Sequence, residues 1–336
     1  MTVTLTGLGT YLPDNTLTGA EIAARSGIPE DVVVEKMGIV EKRVCPPDGD
    51  HATDMCVAAA RDALDAADVA ATDLDLVVYH GSEYKDFVVW SAAADVADRL
   101  GAANAYAKES YALCAGYPVT LHEVAAQLET GDVDTALLVG ASREEDLVDY
   151  TDADASFMFN FGSGACASVL ERDAGDRAVA SCLGHAARTD GSFSRDVVMP
   201  AGGSRHPPSE RTVSENMHAL TVPDPDGMKE RLGEVSLENF LHVADAALDR
   251  AGLDRDDVDF AAITHMKRSF HDYLTDELGV GDGHHYLDRY GHVQSVDQIL
   301  AVRAGRERGL LEAGDVVLAL AAGTGYTWAA SALRWR

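Results

Sequence analysis

A cysteine that opens a helix is the first candidate for chemistry in this chain. The segment AYAKESYALCAGYPVTLHEVAAQLETG places Cys114 just before a long helical pattern, with Gly116 beside it to permit a close backbone turn. A thiol in that place meets the positive end of the helix dipole and unpaired N–H groups, which lower its pKa and favour the thiolate nucleophile. The competing reading is a small buried hydrophobe, the usual role of a free cysteine. Two histidines strengthen the chemical reading: His265 closes the apolar stretch FAAITH, and His292 in DRYGHVQSVDQILAV stands at the start of a helical pattern, as Cys114 does. One thiol and two imidazoles at strand ends and helix starts make a nucleophile with two acid/base or hydrogen-bonding partners.

The elements that must position these groups occur twice. Residues 57 to 80, VAAARDALDAADVAATDLDLVVYH, read as an apolar-faced helix, an acidic turn and a short strand ending in His80; residues 243 to 265, VADAALDRAGLDRDDVDFAAITH, repeat the description and end in His265. A second pair follows in the same order, LETGDVDTALLVGA at 128 to 141 and LLEAGDVVLALAAGTG at 310 to 325. Two similar halves of alternating helix and strand imply an α/β protein built by duplication, with its active site at the junction. The change of rhythm at LERDAGDRAVAS places the boundary near residue 172, giving halves 1–172 and 173–336. Between Gly184 and Asp226 lie five of the ten prolines, and a connection of that length is expected to shape the mouth of a site.

Composition excludes several classes. With 56 acidic against 27 basic residues the formal charge is −29, which repels nucleic acid and anionic membranes. Only six of the basic residues are Lys, and the negative charge is spread along the chain, as expected of a halophilic protein from a high-salt cytoplasm. No apolar run reaches the roughly 18 residues of a membrane span, and the opening MTVTLTGLGTYLP reads as a strand rather than a signal peptide, so a cytoplasmic protein is expected. The five cysteines, at 45, 56, 114, 166 and 182, form neither a CxxC pair nor a disulfide framework, and no metal site is expected from His284, His285 and His292.

The motifs GTYLPDNTLT, MGIVEKRV, YALCAGYPVTL, FNFGSGACASVLE, YGH at 290 to 292 and AAGTGYTWAASAL, with the strand into His265, resemble the landmarks of the thiolase-fold condensing enzymes, most closely the β-ketoacyl-ACP synthase III branch. The resemblance spans essentially the whole chain. It implies a duplicated, five-layered αβαβα thiolase fold, a homodimer, and an acyltransferase of lipid metabolism that forms a C–C bond by Claisen condensation through an acyl-cysteine. Thioesters of coenzyme A or of acyl carrier protein would be the substrates, with no cofactor. Cys114 matches the family nucleophile and His265 its second-half histidine. His292 stands where the branch usually has Asn, so the set resembles the Cys-His-His of elongating ketosynthases, with two neutral imidazoles to stabilise an enolate. In GTGYTW, Thr324 occupies the place whose backbone N–H, with that of Cys114, would form the oxyanion hole.

Other positions depart from the branch. Val32 and Lys36 replace the Trp and Arg that hold the nucleotide end of coenzyme A, leaving one cation. Lys267 and Arg268 follow His265 and are candidate contacts for a phosphate or an acidic carrier; Phe87 and Phe157 are candidates to shape the acyl pocket. Glu83, in GSE, resembles the catalytic Glu of the hydroxymethylglutaryl-CoA synthases, which share the fold, and in that role would need partial burial to raise its pKa. That activity, condensing acetyl-CoA with acetoacetyl-CoA, is the alternative enzymatic reading; a thiolase-fold subunit that scaffolds an additional subunit is the nonenzymatic one.

Overall fold

The structure, a computed structural model, describes residues 2–336. The first half runs β1 (Val3–Tyr11), β2 (Thr16–Thr18), α1 (Gly19–Ser26), β3 (Glu41–Arg43), α2 (Ala52–Ala67), β4 (Leu76–Tyr79), α3 (Ala92–Leu100), β5 (Tyr106–Glu109), α4 (Gly116–Thr130), β6 (Thr135–Ser142) and β7 (Gly164–Arg172). The second runs β8 (Ala180–Thr189), α5 (Glu210–Ser214), α6 (Pro225–Ala251), β9 (Phe260–Ile263), α7 (Arg268–Leu278), α8 (Asp297–Glu307), β10 (Val316–Gly323) and β11 (Thr327–Trp335). No helix among the described residues is long and apolar enough to cross a membrane.

The strand order β5-β4-β6-β7-β1-β8-β11-β10-β9 reads as one pattern written outward twice from the centre. Parallel β4–β6 and antiparallel β6–β7 and β7–β1 have counterparts in parallel β9–β10 and antiparallel β10–β11 and β11–β8. The counterpart of β5 shrinks to a single parallel bridge between Ala261 and His284. Even the strand entries match. Asp75 accepts from the backbone N–H of Thr135, and Asp259 from that of Val316, each carboxylate tying the start of one parallel strand to the next.

Side-chain alternation turns these half-sheets into layers, because successive strand residues point to opposite faces. Leu76 and Val78 of β4, with Phe260 and Ala262 of β9, pack on α4 and α8 in one central core. Val77 and Tyr79 face α2 and α3 on one outer side, while Ala261 and Ile263 face α6 and α7 on the other. The order is therefore helices, half-sheet, central helices, half-sheet, helices. Central α4 and α8 start where the halves meet, so whatever their first residues carry converges at the middle of the molecule.

One local expectation changes. Residues 184 to 189 continue β8, so the irregular excursion begins only after Thr189. Val32–Lys36 forms one π-helical turn.

Candidate active site

Cys114 sits in a single 3₁₀ turn, Leu113–Ala115, that leads into α4. Leu113, the residue before it, has φ 50°, a left-handed conformation that costs a branched side chain energy and persists only where its surroundings enforce it. Gln294, at the matching place before α8, has φ 56°. Gly116 is needed for approach rather than for the turn: its φ is −55°, and a Cβ there would lie 2.4 Å from the His80 carbonyl oxygen. The hairpin from β10 to β11 closes in from the other side, where a Cβ on Gly323 would fall 2.3 Å from the Ala112 oxygen and 3.1 Å from the Cys114 nitrogen. Thr324, next in the chain, thereby comes to the Cys114 turn.

The buried Cys114 thiol lies 3.1 Å from His292 Nε2 and 2.7 Å from Gln294 Oε1, to which its S–H donates. On the far side of the imidazole, His292 Nδ1 donates to Asp297 Oδ2 at 2.6 Å. Asp297 is fully buried and also accepts from the backbone N–H of His265, at 2.7 Å, and of Val293, at 2.7 Å. Burial by itself would push the His292 pKa down, but Asp297 and Cys114 on either side hold it well above the usual imidazole range. His265 behaves oppositely. Burial lowers its pKa to about 4, only partly offset by Asp297. Its Nδ1 accepts from Asn160 Nδ2 at 2.9 Å, and its Nε2 donates across a long 3.4 Å to the Gly38 oxygen. The expected pair of alike imidazoles thus meets opposite influences, burial pushing His265 down and Asp297 pushing His292 up, because only the His292 ring faces a buried carboxylate.

Two cavities flank this centre. One of about 660 Å³ is lined by Cys114, His265, His292 and Thr324 and continues between Phe157, Met228, Leu232 and Phe270, with Lys229 and Lys267 on its wall. The other, of about 910 Å³, reaches Gln294, Thr324 and Phe161 and is bounded by Phe87, Glu83, Glu144 and, from the excursion after β8, Val198, Met199 and Leu220. The long connection does cover a cavity at the site.

Several expected residues fall elsewhere. Glu83 borders the larger cavity but is exposed, so the burial that its assignment as acid or base requires is missing. The carboxyl that does reach the centre is Glu144, which accepts from Gln294 Nε2 and from Ser82 Oγ and whose pKa is raised by burial. Lys36 lines neither cavity, and Arg268 is turned away, its guanidinium 3.9 Å above the Tyr286 ring and 3.4 Å from Asp288. Lys267, Phe157 and Phe87 do line the cavities. His80, the apparent twin of His265, is not its equivalent: in the matching registers His80 follows Tyr79 of β4 as Thr264 follows Ile263 of β9, and His80 meets Ser295 Oγ at 3.1 Å. Asp297, Gln294, Glu144 and Asn160 escaped the sequence reading. An acid in the first turn of a helix reads as a partner of the dipole, and nothing in the spacing from His292 distinguishes it.

Comparison with known proteins agrees with this architecture. Residues 109–191 match the family model described as 3-oxoacyl-[acyl-carrier-protein (ACP)] synthase III, and residues 248–335 match its C-terminal counterpart. The chain is 31% identical over 345 residues to the β-ketoacyl-[acyl-carrier-protein] synthase III of Syntrophomonas wolfei, covering all of this chain and 98% of the relative. It is 30% identical over 340 residues to that of Desulfitobacterium hafniense strain Y51, with the same coverage. The crystal structure of 3-oxoacyl-(acyl carrier protein) synthase III from Pseudomonas aeruginosa superposes with a TM-score of 0.84 at 26% identity, covering 100% of this chain and 98% of that one. With the Cys114 turn, the histidines and the duplicated thiolase fold all in place along the full length, the chain belongs to the 3-oxoacyl-[acyl-carrier-protein] synthase III family of condensing acyltransferases.

Proposed function

We propose that Cys114 carries the acyl group and that condensation takes place between the two cavities that meet beside it. The observation that carries this reading is the Cys114 Sγ to His292 Nε2 contact of 3.1 Å at the start of α4. With the proton on His292, the imidazolium donates to a thiolate, the form that attacks a thioester carbonyl. Negative charge developing on that oxygen would be met by the backbone N–H groups of Cys114 and Thr324. Collapse of the adduct expels the carrier thiolate, which takes its proton from His292 Nε2, and leaves acyl-Cys114.

In the second half-reaction the donor thioester loses a carboxylate as CO₂, its enolate carbon attacks the acyl carbonyl, the C–S bond to Cys114 breaks, and the freed thiolate is matched by a proton that His292 has taken up from solvent. Neutral His265 supports the enolate by exchanging its long bond to Gly38 for one to the enolate oxygen; reprotonated His292 supplies a second N–H. Lys229 and Lys267, the two lysines on the wall of the 660 Å³ cavity, which Asp154 and Asp226 also line, suit the phosphate of a pantetheine arm on coenzyme A or a carrier protein. Phe87, Val88 and Val89, at 66%, 81% and 104% exposure, form an apolar run beside the larger cavity that suits the face of a homodimer.

Intact-protein mass after incubation with a panel of acyl-CoAs tests the core of this reading. Wild type should gain one acyl group and release it as a condensed product when malonyl-thioester is added. Cys114→Ala should gain none. A wild-type protein unmodified by any acyl-CoA or acyl carrier thioester would refute it.

A further inference from the structure

The Asp297 carboxylate decides which way the neutral His292 ring faces. Because Nδ1 donates to Asp297 at 2.6 Å, the hydrogen of a neutral ring stays on Nδ1, and Nε2, 3.1 Å from the sulfur, presents a lone pair. Asp297 has no freedom to release it. It is fully buried, and its other contacts are the N–H groups of Val293 and His265, which fix both carboxylate oxygens. An amide side chain at residue 292 could donate a hydrogen bond but could never take up a proton. The buried carboxylate, the oriented imidazole and the adjacent thiol have the order of an orienting acid, a base and a nucleophile.

We propose that Asp297 makes His292 a general base once Cys114 is acylated, so that the protein also passes acyl groups from Cys114 to hydroxyl nucleophiles, water included. This rests on the acyl-Cys114 reading above and adds an acceptor class to it. In the step, the acceptor O–H gives its proton to His292 Nε2 while its oxygen attacks the acyl carbonyl, and the oxyanion faces the N–H groups of Cys114 and Thr324. The C–O bond is formed, the C–S bond breaks, and the proton returns from Nε2 to the Cys114 sulfur. An ester or acid leaves and the free thiol is restored, with no change of oxidation state. Acylation favours the base: it removes the Cys114 partner that, with Asp297, holds the His292 pKa up. Acceptors have room, since the cavities beside Cys114 measure about 660 and 910 Å³.

The test isolates acyl-enzyme made from the acyl-CoA that modifies Cys114 best, removes excess thioester, and follows loss of the acyl mass with no malonyl donor present, in buffer alone and with glycerol. Wild type should deacylate to free acid, form acylglycerol in glycerol, and show a rate that rises with pH through one ionisation to a plateau. Asp297→Asn, a change at a positioning residue, and His292→Asn should each slow deacylation by about 10²–10⁴-fold, the usual contribution of a general base. In both variants the plateau should disappear, leaving a rate that climbs with hydroxide, a change that a structural effect alone would not produce. An acyl-enzyme that condenses with malonyl-thioester yet deacylates no faster than the same thioester in unfolded protein would overturn this proposal alone. So would a wild-type profile without a plateau, which needs no variant to fold. Failure of any acyl-enzyme to form would overturn this proposal together with the acyl-Cys114 reading.

Discussion

Replacing His292 by Asn, the residue its family branch usually carries there, should cost stability as well as catalysis. Asp297 is fully buried and its carboxylate has three partners: His292 Nδ1 at 2.6 Å and the N–H groups of His265 and Val293, each at 2.7 Å. Of these only His292 can carry a charge. Removing one member of a buried ion pair costs about 3–5 kcal/mol, because the other is left charged in a poor solvent. The two N–H bonds that survive place this case at the low end, about 3 kcal/mol, or roughly a hundredfold in the folding equilibrium. Asp297→Asn in the His292→Asn background removes the stranded charge, so the double variant should regain part of the loss, with a coupling of about 1–3 kcal/mol. Urea unfolding of wild type, both single variants and the double variant, with midpoints compared at constant slope, measures the cycle. A His292→Asn protein within about 1 kcal/mol of wild type, or a coupling near zero, would refute the ion-pair reasoning.

Other outcomes follow from the same geometry. Gly323→Val should displace the Thr324 turn from Cys114 and slow acylation by about 10²–10³-fold, the cost of one lost oxyanion donor, in a protein whose circular dichroism is unchanged; normal acylation would contradict the assigned oxyanion hole. Glu144→Leu strands Ser82 and Gln294 and should lower stability by about 1–3 kcal/mol, whereas Glu83→Gln on the surface should shift it by no more than about 0.5 kcal/mol; a reversed ranking in urea unfolding would restore Glu83 as the site carboxylate. Acid should unfold the protein early. Burial lowers His80 and His271 to about 3 and His185 and His265 to about 4, against 6.5 in the unfolded chain, so the unfolded state binds more protons as pH falls from 6.5 toward 4. Each such group removes up to about 1.4 kcal/mol per pH unit in that window. The raised His292 contributes in the opposite sense, fully below 6.5 and lost only as pH rises through its folded value, so it does not oppose the acid loss. A melting temperature flat from pH 6.5 to 4 would contradict the buried neutral histidines.

How much of this was legible in the sequence differs from residue to residue. Cys114 and His292 were visible because each precedes a helix pattern in corresponding copies of a repeated unit, and the fold carries both to the centre. The second helix–strand match in each copy likewise covers the equivalent strands β6 and β10, each parallel to the strand of the first match. His80 misled, because a repeat read by eye aligns letters while register aligns backbone, and one residue's offset moves a side chain to the other face. Glu83 was legible only in part: GSE fixes an order of residues, but only packing decides that Ser82 turns inward to Glu144 while Glu83 stays exposed at the rim of the larger cavity.

The sequence alone determined the alternation of helix and strand, the duplication, the acidic composition and the place of Cys114 at a helix start, since each is written in local periodicity, composition or the start of one helix. Tertiary structure alone decided the charge states. Whether an imidazole is neutral or cationic depends on the carboxylates within a few ångströms and on exclusion of water, and those neighbours arrive from distant parts of the chain. His265 and His292 share a residue type and a site, yet Asp297 touches the ring of one and only the backbone of the other. That difference, fixed by how β9 and α8 pack, separates a neutral hydrogen-bond donor from a base.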